Sequence, residues 1–150
     1  MRIEIDQSWK IEKTNKPTVI AFSNSQTEGS VLVFQEVKKL AFAYLEERFG
    51  RDKINIIRIF AAGIVILLKA YNLKTVSLVV DREYPGYEHA LQSLIVDYGK
   101  KLEFMLDAED ISIREIGKKS EAHWLAYDVF AGKKKAGRVI NLHELLKVLP

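Results

Sequence analysis

Residues 76–80, Val-Ser-Leu-Val-Val, carry no charge and end on Asp81, and this short run constrains the fold more than any other stretch. A strand covered on both faces reads as a near-continuous apolar run, whereas a strand with one wet face alternates. The run therefore predicts a central strand of an α/β sheet, with Asp81 and then Glu83 where the chain leaves it. Sheets of that class gather ligand sites along the carboxyl ends of their strands. The stretch from Thr75 to Gly86 thus couples a buried strand to an acidic, turn-forming end.

The flanking sequence supplies the rest of such a sheet. Ile3, Ile5 and Trp9 alternate with Arg2, Glu4 and Asp6, the period of a strand, so Asp6 points to the face opposite Ile5. A turn over 14–17, a strand over 18–22, a polar turn over 23–29 and a strand over 30–34 complete an antiparallel meander. At residue 35 the period changes. Val37, Leu40, Ala41, Tyr44, Leu45 and Phe49 recur at helical spacing, and Gly50 closes a helix over 35–49. Residues 55–71 are apolar almost all round, as in a helix buried between neighbours, although Gly63 and the β-branched content leave a strand open.

A helix over 86–101 follows the central strand, with Leu91, Leu94, Ile95 and Tyr98 on one face. An acidic loop (107–110) leads to a core strand through Ile111, Ile113 and Ile116. Ser120 caps a helix over 121–131. A basic loop then precedes a short strand (138–140) and a helix over 142–148 that Asn141 and Glu144 begin as a capping box. The expected fold is α/β: a mixed sheet in which a three-stranded antiparallel meander continues into parallel strands, with helices on both faces. A right-handed crossover sets the first and fourth strands side by side, which brings Asp6 to Asp81.

Composition narrows the chemistry. With 150 residues, 48% hydrophobic and 29% charged, the chain is expected to form one domain with a sizeable core. It has no cysteine, which excludes disulfides, thiolate metal sites and cysteine nucleophiles, and fits a reducing, cytoplasmic setting. The longest apolar run, 59–68, is too short to span a bilayer, and the first residues lack an apolar signal core, so a soluble protein is expected. The net charge of +3 permits a polyanionic partner. Lys118, Lys119, Lys133, Lys134, Lys135 and Arg138 all fall in the last quarter, as candidate contacts to the phosphates of a nucleic acid.

An acid in the first strand (Ile3-Glu-Ile-Asp6), an acid ending the fourth (Leu78-Val-Val-Asp81) and Ser120-Glu-Ala-His-Trp-Leu-Ala-Tyr-Asp128 on a late helix together resemble the ribonuclease H-like superfamily. The last segment looks like the final helix of its Holliday-junction resolvase branch. Asp-Arg-Glu-Tyr-Pro-Gly with Gly-Lys-Lys-Ser-Glu-Ala-His resembles an uncharacterised archaeal-type group of the same superfamily. The resemblance implies a nuclease that hydrolyses phosphodiesters in structured DNA or RNA, with Mg²⁺ or Mn²⁺ held by Asp6, Asp81 and His123. Glu83, Glu121 and Asp128 are further candidate ligands, and Glu36 stands where ribonuclease H proper carries a Glu on its first helix. Such cations bridge attacking and leaving oxygens in phosphoryl displacement, and Mg²⁺ prefers hard oxygen donors.

Each residue also has a plainer reading. Asp81 caps a turn, Asp6 lies on an exposed edge, His123 is a hydrogen-bonded structural histidine, and the lysines from 133 to 135 answer the helix dipole. On those readings the chain is a catalytically silent nucleic-acid- or protein-binding module. A homodimer, or a larger assembly joined through the apolar helix at 55–71, is also compatible with the sequence. His89 and His143 have no partner at metal-ligand spacing, and Ser120 with His123 lacks a third member for a hydrolase triad.

Overall fold

Alternation in the first two strands decides which way each side chain of the candidate site points. In the computed structural model, which describes residues 1–74 and 76–150, β1 (Arg2–Ser8) pairs antiparallel with β2 (Thr18–Ser23), and β2 with β3 (Glu28–Val33). Thr75, the first residue of the central stretch, lies outside the described residues. Ile3 and Ile5 of β1, with Ile20 and Phe22 of β2, face one layer of core, while Val19 and Ala21 face another. Glu4 and Asp6 share that second side, as the period of two requires.

The first layer is helical. It contains α1 (Gln35–Phe49), α2 (Ile54–Ala70), α3 (Glu88–Lys101) and α5 (Leu142–Val148). Ile59, Phe60, Ala61, Ala62, Ile64, Val65, Leu67 and Leu68 of α2 are each no more than 1% exposed, so α2 is the axis of the core. Each large apolar side chain buried this way is worth roughly 1.5–3 kcal/mol. Gly63 allows the close approach to the sheet, because a Cβ there would lie 2.5 Å from Cδ1 of Ile20. The apolar surface of α2 is thereby spent inside the chain.

The opposite face is covered by α4 (Glu121–Phe130), whose Leu125, Ala126 and Val129 pack on Val19 and Ala21. Ser120 caps it, with Oγ accepting from the Ala122 amide at 3.2 Å. Parallel strands complete the sheet: β4 (Ser77–Asp81) beside β1, β5 (Ile111–Arg114) beside β4, and β6 (Arg138–Val139) beside β3. The six-stranded order is β5-β4-β1-β2-β3-β6, so the expected adjacency of first and fourth strands holds. Helices lie on both faces, and among the described residues no helix is long and apolar enough to cross a membrane.

Several local expectations are corrected. Leu40 and Phe49, assigned to the buried face of α1, are 54% and 46% exposed, while Lys38 is wholly buried. Lys38 reaches past α1 to donate to the Lys13 carbonyl at 2.7 Å and to Thr18 Oγ1 at 3.0 Å. β3 stops at Val33, because Phe34 becomes the extended N-cap of α1. β5 ends at Arg114, before Ile116, whose amide turns to Asp81 instead. β1 ends at Ser8, and Trp9 turns out of the strand with φ of +69°.

Candidate metal centre

The register of β1 on β4 pairs Ile5 with Val80, so Asp6, within β1, and Asp81, at the end of β4, follow level with each other on two parallel strands. Neighbouring strands lie about 4.8 Å apart, which brings level side chains on one face into contact range. Beyond Asp81 the chain bends sharply, the Glu83 amide donating to the Asp81 carbonyl at 3.0 Å, and this returns Glu83 toward the strands. Carboxylate oxygens of Asp6, Asp81 and Glu83 consequently lie within 4.8 Å of one another, and no other such group of three forms among the described residues.

Each acid is held from a different direction. Asp6 is 2% exposed, accepts from its neighbour's amide (Gln7) at 2.7 Å through Oδ1, and meets Nδ1 of His123 at 3.0 Å through Oδ2. Ala21 stands opposite Asp6 in the β1–β2 register, and with Ala122 and Ala126 it leaves room for α4 to lie close above the acid. Asp81 accepts from the Ile116 amide at 2.9 Å. Gln7 donates through Nε2 to the Tyr84 hydroxyl at 3.0 Å, but its buried Oε1 has no partner among the described residues.

Burial, and then the crowding of like charge, shifts the titration of Glu83 and Asp6. Burial, then a hydrogen bond to Asp81 and the charge of Asp6, push Glu83 up to about 8, which favours its protonated form. Burial and the charge of Asp81 raise Asp6 from the ordinary carboxylate value, against the hydrogen bonds from Gln7 and His123. The cluster opens into a cleft of about 340 Å³ whose wall includes Lys118, Arg82 and Glu115. Three hard oxygen donors converging at an open cleft are a donor set that suits a divalent cation.

The remaining expected site residues divide. His123 reaches the cluster by holding Asp6, and Glu83 belongs to it. Glu121 does not: it accepts from Ser23 Oγ at 3.0 Å and lines a separate hollow with Arg2 and Lys119. Asp128 is half-buried further along α4, outside the converging group, and Glu36 is exposed on α1. Of the six basic residues, Lys118 lines the cleft, whereas Lys134 pairs with Glu28 at 3.6 Å and Arg138 with Glu144 at 2.9 Å. Lys133 sits over the Tyr127 ring and Lys135 is exposed. Sequence reasoning missed Gln7, whose parity sends it toward Tyr84 while its place beside Asp6 keeps it at the rim.

No protein-family model, no curated protein and no solved structure matches the chain. The class that the coordinates themselves define is an α/β protein built on a mixed, six-stranded sheet.

Proposed function

We propose that the chain is a ribonuclease H-like, divalent-metal-dependent nuclease in which Asp6, Asp81 and Glu83 hold Mg²⁺ or Mn²⁺. The convergence of those three carboxylates in an open cleft is the observation that carries this reading. It is supported by the sheet order, in which a three-stranded meander stands beside two parallel strands and the first and fourth strands adjoin, as the sequence resemblance implies. A bound cation would supply a more acidic water and neutralise charge developing on the phosphate.

The chain's own groups have separate tasks. Nδ1 of His123, bonded to Asp6, fixes the imidazole and leaves Nε2 to accept a proton from an attacking water. The Ile116 amide keeps the Asp81 carboxylate turned to the cleft. Lys118, on the wall, offers a cation to a substrate phosphate.

Cleavage of a labelled branched DNA and of a structured RNA, each with Mn²⁺ or with EDTA, tests the reading. Hydrolysis that requires the metal and falls at least roughly a hundredfold in Asp6→Asn and Asp81→Asn is expected. Absence of saturable Mn²⁺ binding by calorimetry, or cleavage unchanged by EDTA and by both variants, would overturn it.

A further inference from the structure

The outward face of α4 carries a feature that a metal centre does not need. Trp124 and Tyr127 are 49% and 43% exposed, and their rings meet edge to face with centroids 6.2 Å apart. They adjoin the cleft directly, since His123, which holds Asp6, packs edge to face on Trp124 at 5.1 Å. Trp124 is anchored: its Nε1 donates to the Lys118 carbonyl at 2.6 Å. An indole with its one polar atom satisfied and half its surface in water is a fixed apolar platform.

The row continues away from the cleft. Phe130 lies one helical turn beyond Tyr127, and Trp9 stacks on it with the ring planes 9° apart and centroids 5.4 Å apart. Trp9 is held there at some expense, because φ of +69° is a left-handed conformation that a bulky residue rarely adopts. Trp124 to Phe130 covers about 9 Å of helix. Lysines accompany the row: Lys133 lies over the Tyr127 ring at 5.5 Å, and Lys13 and Lys16 lie over the Trp9 ring at 5.4 and 5.0 Å. Lys118 marks its cleft end.

Exposed aromatic rings in series, with flexible lysine ammonium groups close beside and over them, match one kind of partner. Bases of an unpaired strand stack on exposed rings, which a duplex hides inside itself, and the phosphates run along the lysines. An acidic peptide would use the lysines but has no need of the rings, and an apolar protein surface would use the rings but bury the lysines unpaired. We propose that the Trp124–Tyr127 face of α4 is a stacking platform for single-stranded nucleic acid, recognised through base faces and phosphates and not through its sugar, that leads an unpaired strand to the acidic cleft. This deepens the nuclease reading and rests on it for the fate of the strand, but not for the binding.

The test measures binding without the metal. In EDTA, a fluorescein-labelled twelve-nucleotide oligodeoxythymidylate, the oligouridylate of equal length and a twelve-base-pair duplex are titrated with the full chain by anisotropy. Tryptophan quenching is read alongside. Both single strands should bind, quench the tryptophans and outcompete the duplex at least roughly tenfold. Trp124→Ala and Tyr127→Ala should each weaken single-strand binding by roughly tenfold or more, while Trp124→Phe and Tyr127→Phe, which keep a ring, restore most of it.

Asp6→Asn should retain single-strand binding, and Trp124→Ala should retain Mn²⁺ binding, so failure of the platform and failure of the metal centre are separable. Single-strand binding unchanged in folded Trp124→Ala and Tyr127→Ala, or preference for the duplex, would overturn the proposal. So would a wild-type dimer in sedimentation that becomes a monomer in Trp124→Ala with no oligonucleotide bound by either, since the face would then join two copies of the chain.

Discussion

Asp81→Asn exchanges one property of the acid cluster for another. Two unit charges at the 4.8 Å limit of the cluster repel by about 3.5 kcal/mol at an effective dielectric near 20. Asp81 is half-buried, and water at its open side reduces that to about 1 kcal/mol. The asparagine keeps an oxygen for the Ile116 amide, so the local hydrogen bond survives while the repulsion of Asp6 goes. In EDTA the variant should therefore melt roughly 2–4 °C above the wild type. In excess Mn²⁺ the order should reverse, because ligand at a hundred times its dissociation constant stabilises the intact site by about 2.7 kcal/mol and the variant gains little. Differential scanning fluorimetry of both proteins with and without Mn²⁺ reads both halves. If Asp81→Asn melts lower in EDTA and both proteins respond equally to Mn²⁺, the crowding of Asp6 by Asp81 is not the dominant electrostatic feature of the cleft.

Two further expectations concern the elements that hold the site. Ser120→Ala removes the cap of α4 and should lower stability by about 1 kcal/mol in urea denaturation, with Ser120→Asp recovering most of it; equal stability of all three would contradict the capping role. Burial lowers Lys38 from 10.5 to about 8, so between those values the unfolded chain binds a proton that the folded chain does not, and stability rises with pH by up to about 3 kcal/mol. Below pH 8 both states are protonated and the burial penalty is fully present. Relative to Lys38→Met, the wild type should therefore gain stability from pH 8 to pH 10, and parallel pH profiles would refute it.

Much of the frame was legible because it rests on periodicity. Gln35–Phe49 and Leu142–Val148 have the bounds that spacing and caps suggest, since Gly50 and Asn141 are local signals. The pairing of β1 with β4 followed from a chain that must return across the sheet, and with it came the nearness of Asp6 to Asp81. What the sequence hid was set through space. Glu83 ranked behind His123 as a ligand because it lies past the strand, and only the bend at Asp81 turns it back. Lys38 stands beside a second lysine, Lys39, in a helix, and its burial depends on the carbonyl of Lys13 in a distant turn. The exposed face of Trp124 and Tyr127 read as ordinary helix residues, because periodicity does not reveal which rings remain uncovered.

The shared cation is most directly examined by an anomalous difference map at the manganese edge from crystals soaked in Mn²⁺. A peak in the cleft bonded to oxygens of Asp6, Asp81 and Glu83, and missing in Asp6→Asn, is the expected result. Full manganese occupancy elsewhere on the molecule, with these three carboxylates bonded only to one another and to water, would contradict it.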